Sequence, residues 1–245
     1  IASASSVLLA GHKIILMDVS EETGLVKIDE IKKIIKKKKI SCLINVHLNG
    51  NIGDLNSIFK VCKKNNVKII DDSCHALGTK YSLNNKIYNI GDNSHCDIST
   101  FSFHPSKLIT TGEGGAVLTN NRKIYENLKK ISNHGYENYR IKNKNFFHNY
   151  YQVKNVGYNF RISDINCALG ISQLSKMSDK LKHRITIAKF YNKFFEKNKY
   201  IKTLKVPNNI KCAYHLYPIF IENFKKINRI ELMNKLKKRN IFTQI

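Results

Sequence analysis

The chain has 245 residues, 42% hydrophobic and 24% charged, enough apolar material for one substantial core with a smaller unit attached. Its formal net charge of +24 arises from 42 Lys and Arg against 18 Asp and Glu, but the excess is lysine spread over helical stretches such as 31–39 and 123–130, which argues against a nucleic-acid partner. Six scattered cysteines without a C-x-x-C pair argue against a disulfide framework or a metal cluster and for a reducing, cytoplasmic setting, and no apolar run reaches the roughly 18 residues of a membrane span.

In chain order, the run IILMD from Ile14 to Asp18 predicts a strand, closed by the turn Glu21-Glu22-Thr23-Gly24. Ile28, Ile31, Ile34 and Ile35 recur at helical spacing, with lysines between them facing water. SCLINVHLNG, residues 41–50, reads as a buried strand closed by Asn49-Gly50. Asp54 then caps a helix whose stripe is Leu55, Ile58, Phe59 and Cys62. A second apolar strand, 67–70, runs into Asp71-Asp72. Strand, helix and strand in about thirty residues make a βαβ crossover, hence a parallel sheet with helices on its faces. Ligands gather beyond the carboxyl ends of such strands, where Asp71-Asp72-Ser73-Cys74-His75 falls. An acid there is either a helix cap or the counter-ion of a bound cationic heterocycle.

A polar excursion from Lys80 to His95, with a turn at Asn84-Asn85, leads to two strand-like runs, 97–103 and 115–119. Between them lies a glycine-bearing connection carrying Lys107. Most of the 42 cations must simply be solvated, but an amine held between two sheet-bound strands is placed to condense with an aldehyde, the reaction on which pyridoxal phosphate (PLP) chemistry depends. Ser102, on the same hairpin, is a solvent-facing hydroxyl or a donor to a phosphate oxygen. A helix over 122–131 and an exposed loop over 136–154 follow. Gly157-Tyr158-Asn159-Phe160-Arg161 leads to Ser163, the cap of a helix bearing Ile165, Ala168, Leu169, Ile171 and Leu174. Asn159 and Arg161 either orient the start of that helix or offer an amide and a guanidinium to an anion. Asp179 opens a long basic helix to about Lys197, with a strand over 213–221 and a helix over 229–239 beyond it. The expected division is a large domain over 1–178 and a smaller α+β domain over 179–245.

The segments IIDDSCHALGTKY, FSFHPSKLITTGEGGAVLTN and GYNFRISDINCALGISQL stand in that order, accompanied by AGHKIILMDV, INVHLNG and AYHLYPI. Together they resemble the DegT/DnrJ/EryC1/StrS-type family of PLP-dependent sugar-nucleotide aminotransferases. The resemblance implies an α/β fold of type I, aspartate aminotransferase-like, with a mainly parallel sheet flanked by helices and a smaller C-terminal α+β domain. By motif, Lys107 would hold PLP covalently and shuttle the proton, Asp72 would pair with the pyridine nitrogen, His75 would lie near the phenolic oxygen and Ser102 would bind the phosphate. Asn159, with Arg161 as a further participant, would reach the phosphate of a neighbouring subunit, implying a homodimer with shared active sites.

The wording DSCHALG and the longer excursion after it favour the pseudaminic-acid branch, with L-glutamate as amino donor and a UDP-linked 4-keto-6-deoxy-N-acetylhexosamine as acceptor. Relatives acting on perosamine-type or aminoarabinose-type ketones are the alternative. A dehydratase of the same fold would carry histidine in place of Lys107, and intact Lys107 and Asp72 argue against a non-catalytic relative. The family's phosphate-cradling loop and ring-stacking aromatic are expected before Ile1, if IASASS takes the place of a family strand. The rest of the small domain is expected after Ile245, so the chain reads as truncated at both ends.

Overall fold

The computed structural model describes residues 1–138, 151–222 and 228–245. Helix α1 (Ala2–Leu9) stands where IASASS suggested a strand; its run of small residues suits either state, and no strand edge pairs with it. Helix α2 (Ile28–Lys37) buries Ile31 and leaves its lysines outside, with Asp29 and Glu30 in the first turn and Lys36 and Lys37 in the last, each matching the helix dipole. Strand β1 (Cys42–Val46), helix α3 (Leu55–Lys64) and strand β2 (Lys68–Asp72) form the expected crossover. Asp54 caps α3 by accepting from Ser57 N at 3.0 Å, and Leu55, Ile58 and Cys62 are buried along its inner stripe.

Strands β3 (Lys80–Leu83) and β4 (Lys86–Asn89) turn at Asn84 and Asn85, both left-handed (φ 50° and 60°), as a two-residue hairpin requires. Strands β5 (Ile98–Ser102) and β6 (Gly115–Leu118) enclose the Lys107 connection. After them come α4 (Arg122–Ile131), β7 (Tyr136–Asn138) and β8 (Tyr151–Val153), then α5 (Asp164–Ser175) and α6 (Met177–Phe195). Strands β9 (Ile201–Thr203), β10 (Ile210–Lys211) and β11 (Ile219–Ile221) and helix α7 (Arg229–Lys237) complete the order. The central sheet runs β1-β2-β5-β6, parallel through β5 and antiparallel at β6. One apolar cluster (Ile31, Leu43, Ile58, Val67, Ile69) seals α2 and α3 onto this sheet; a second (Ile52, Leu55, Tyr81, Ile210, Cys212) joins α3 to the smaller β10-β3-β4 sheet.

Three further sequence expectations are corrected. The 14–18 run forms no strand; Met17 packs against the first cluster, while Ile14, Ile15 and Leu16 are exposed. Within 213–221 only Ile219–Ile221 is a strand, because Tyr214 is left-handed (φ 48°) and the backbone of 215–216 bonds elsewhere. The ends of the 136–154 stretch pair as the hairpin β7–β8, with the Tyr136 and Tyr151 rings 4.5 Å apart; residues 139–150 lie outside the described residues. All six cysteines are unpaired, and among the described residues no helix is long and apolar enough to cross a membrane.

Candidate active site

Because β1, β2 and β5 are parallel, Val46, Asp72 and Ser102 end at one edge of the sheet. The ladder is extended there by His47 N to Asp72 O (3.0 Å) and Ser73 N to Thr100 O (2.9 Å), which stiffens the start of the loops. Side chains alternate along a strand, so the two adjacent acids separate. Asp71 is buried, accepting from Asn45 Nδ2 at 3.1 Å, with His47 Nε2 3.2 Å away but off the line of a good hydrogen bond. Asp72 lies on the other side, half-buried; Oδ2 accepts from Ser3 Oγ at 2.6 Å and Oδ1 from Cys74 N at 3.2 Å. Burial alone would raise its pKa, but the hydrogen bonds from Cys74 and Ser3 outweigh it, and the carboxyl sits below its ordinary value. One lone pair remains on each oxygen for a further donor.

Lys107 occupies a loop tied at several points. Lys107 N donates to His104 O (2.9 Å), Thr111 N and Thr110 Oγ1 both donate to Phe103 O (3.0 Å each), and Phe103 N donates to Gly114 O (2.9 Å). Leu108 and Ile109 are buried beneath the loop, and the Asn166 side chain of α5 donates to Thr111 O. The lysine is therefore delivered by an ordered support. Ser102 Oγ accepts from His104 N at 3.3 Å and keeps its own O–H for another acceptor.

A shallow pocket is lined by Cys74, His75, Ser102, Lys107, Arg184 and His215, with Leu77, Leu108 and Ala213 as apolar walls. Asp72 is not in its lining but binds Cys74, which is. Burial, with the Lys107 charge, pushes the His75 imidazole down to about 4, against the opposing pull of Asp72. Burial, then His75, Lys107 and Arg184, pushes His215 down to about 3. The Cys74 thiol is driven up to about 12 by burial and by Asp72, so at neutral pH it is an uncharged wall. The pocket thus presents the Lys107 amine, the Arg184 guanidinium, a hydroxyl and two neutral imidazoles, with a carboxylate behind them.

The sequence-predicted residues Lys107, His75 and Ser102 come together in this pocket, and Asp72 lies beside it. Asn159 and Arg161 do not; both are exposed on the segment before α5, where Asn159 bridges to Asn133 and Arg161 Nη1 donates to Asn133 Oδ1 at 2.6 Å. His215 and Arg184 were missed. His215 lies in the AYHLYPI segment, which gave the only signal, and Arg184 sits among the many cations of α6.

The model of the DegT/DnrJ/EryC1/StrS aminotransferase family matches residues 1–245. The chain belongs to this family. A UDP-4-amino-4,6-dideoxy-N-acetyl-beta-L-altrosamine transaminase of Campylobacter jejuni (strain 81-176) is 37% identical over 248 residues, covering 100% of this chain and 62% of that protein. A GDP-perosamine synthase of Escherichia coli O157:H7 is 31% identical, again over 100% of this chain and 62% of the relative. The solved structure of Helicobacter pylori PseC, an aminotransferase involved in the biosynthesis of pseudoaminic acid, superposes with a TM-score of 0.84 at 31% identity, covering 100% of this chain and 62% of that one. The chain thus spans about 62% of the length of these relatives, and its mixed sheet with flanking helices is the type-I fold that the family shares.

Proposed function

We propose that the protein is a PLP-dependent aminotransferase that moves an amino group from L-glutamate to C4 of a UDP-linked 4-keto-6-deoxy-N-acetylhexosamine, giving UDP-4-amino-4,6-dideoxy-N-acetyl-β-L-altrosamine. The observation that carries this reading is Lys107, held on a tied loop in the pocket that His75 and Ser102 also line, beside a carboxylate kept below its usual pKa. The 37% identity to the Campylobacter enzyme supports the choice of sugar, and the 31% identity to a perosamine synthase makes a GDP-linked ketone the alternative acceptor.

The residues present fit PLP. Asp72 keeps a lone pair for a protonated ring nitrogen, Ser102 keeps a hydroxyl proton for the phosphate, and Lys107 supplies the amine. When bound, the cofactor supplies an electron sink that makes the donor Cα–H acidic. Asp72 would keep a bound ring nitrogen charged, a task that requires a carboxylate that stays ionised, and its lowered pKa suits that. The Lys107 amine takes the proton from the donor Cα and later gives a proton to C4 of the sugar, serving as base and then as acid. Neutral His75 would offer a hydrogen bond to the cofactor, and the apolar walls Leu77 and Leu108 limit water around Lys107.

The protein works as a homodimer with shared active sites. What supports this is the exposed apolar face of α5 and the segment before it, where Phe160, Ile165 and Ile171 are 69%, 84% and 69% exposed, next to Asn159 and Arg161. The test of the reaction is incubation of the purified protein with PLP, glutamate and a panel of UDP- and GDP-linked 4-keto sugars, with products identified by NMR. Amination of the UDP-linked N-acetylhexosamine is expected. Amination of the GDP-linked ketone alone would overturn the sugar, and no amination of any ketone would overturn the activity.

A further inference from the structure

Asn49 lies in a 3₁₀ turn after β1, 2% exposed and left-handed (φ 64°), a conformation asparagine tolerates better than most side chains. Its polar groups reach two separate segments. The backbone N–H donates to His75 Nδ1 at 3.4 Å, the carbonyl accepts from His215 N at 3.0 Å, and the side-chain Oδ1 accepts from Leu216 N at 2.8 Å. The His75 and His215 rings consequently stack, centroids 4.3 Å apart and tilted by 36°. Arg184 Nη1 closes the far side by donating to His215 O at 2.6 Å. The two histidines are 140 positions apart in the chain, and Asn49 joins them directly.

We propose that Asn49 is a positioning residue that holds His75 and His215 as one stacked pair and keeps the ring proton of His75 on Nε2. An N–H cannot donate to a nitrogen that already carries a proton, so a bond from Asn49 N requires Nδ1 to be bare. Burial keeps both imidazoles neutral at pH 7, and the single His75 proton then belongs to Nε2. A fixed N–H donor on His75 suits an anionic oxygen; that this oxygen is the cofactor's phenolate rests on the function proposed above. The Oδ1 bond to Leu216 is the separate half of the device, because it registers the His215 segment against the pocket.

The test uses ¹⁵N-histidine-labelled protein at pH 7 before any cofactor is added, with His75 assigned by loss of its signals in His75→Gln. Long-range ¹H–¹⁵N spectra are expected to show Nδ1 as the unprotonated nitrogen and Nε2 as the protonated one. The reverse tautomer, or an imidazolium, would overturn the backbone half. Asn49→Gly keeps the N–H and the left-handed backbone but removes Oδ1. It is expected to preserve the tautomer, to lose the mutual ring-current shifts of His75 and His215, and to raise KM for the amino acceptor about 5-fold with kcat nearly unchanged. Asn49→Asp, which restores an acceptor, is expected to recover both. Unchanged ring-current shifts in the glycine variant would overturn the side-chain half, and if that variant does not fold, loss of those shifts in folded Asn49→Asp does so instead. The spectra are readable whether or not any ketone is aminated, so the two proposals fail separately.

Discussion

Asp71 and Asp72 are neighbours with different surroundings, one buried against Asn45 and the other half-buried beside the pocket, and substitution separates them. Asp71→Ala leaves Asn45 and His47 facing an empty buried site and is expected to cost about 2–4 kcal/mol in urea unfolding. Asp72→Asn keeps the shape of the half-buried side chain and is expected to change stability little while reducing turnover at least ~100-fold, since a neutral amide no longer holds the ring nitrogen charged. If the two variants exchanged these phenotypes, the assignment of the acids would be wrong. The histidines give a pH signature. Burial pushes His75 down to about 4 and His215 down to about 3, below the 6.5 of an imidazole in the unfolded chain, so the unfolded chain binds more protons below pH 6.5. Stability is therefore expected to be full above about 6.5 and to fall as pH drops toward 4. His215→Phe should flatten that fall in a series of melting curves from pH 7 to 4. That Lys107 and Ser102 share one pocket, with Asp72 beside it, could be anticipated because each lies within a few residues of a strand end that the apolar pattern reveals, whereas the place of His75 came from the family resemblance. Asn49, Arg184 and His215 could not be anticipated, because what brings them together is a set of backbone hydrogen bonds between distant segments, and one left-handed tyrosine, Tyr214, that no period in the sequence announces.

Among the elements, the turn after β1 is a tight junction beside the pocket. Gly50 adopts φ 90°, and a Cβ there would lie 3.0 Å from His75 O and 3.1 Å from Ala213 N, so both the backbone conformation and the space demand glycine. Gly50→Ala is expected to lower Tm by about 4–8 °C, the size of a ~2 kcal/mol strain in a chain of this length, and a Tm within 1 °C or so of the parent would refute the crowding. The βαβ crossover and the β5–β6 hairpin could be read from sequence because period-2 and helical stripes are strong there and the caps at Asp54 and Ser163 stand where they are needed. The 14–18 run and the 213–218 stretch could not. Both are apolar or aromatic enough for strands, yet one touches the core through Met17 alone and the other gives the N–H groups of His215 and Leu216 to Asn49.

For the molecule as a whole, the +24 charge and the uncovered apolar face of α5 make opposite suggestions about partners. The lysines sit on helix exteriors, as on α2, so the protein is expected to show no tight DNA or RNA binding at ~150 mM salt in a filter assay. The apolar face predicts self-association instead: Ile171→Glu should shift the protein from dimer to monomer in light scattering, and an unchanged mass would remove α5 from the interface. Charge alone could not distinguish these outcomes in the sequence; the pattern there already placed Ile165 and Ile171 on one helix, but that both are exposed could only be seen once that helix was packed against its neighbours. The central claim, that Lys107 is the residue that carries the cofactor, is tested most directly by reducing the PLP-treated protein with borohydride and locating the phosphopyridoxyl label by peptide mass spectrometry. The label is expected on the peptide containing Lys107 and to vanish in Lys107→Arg. A label on another lysine, or none at all, would contradict the account.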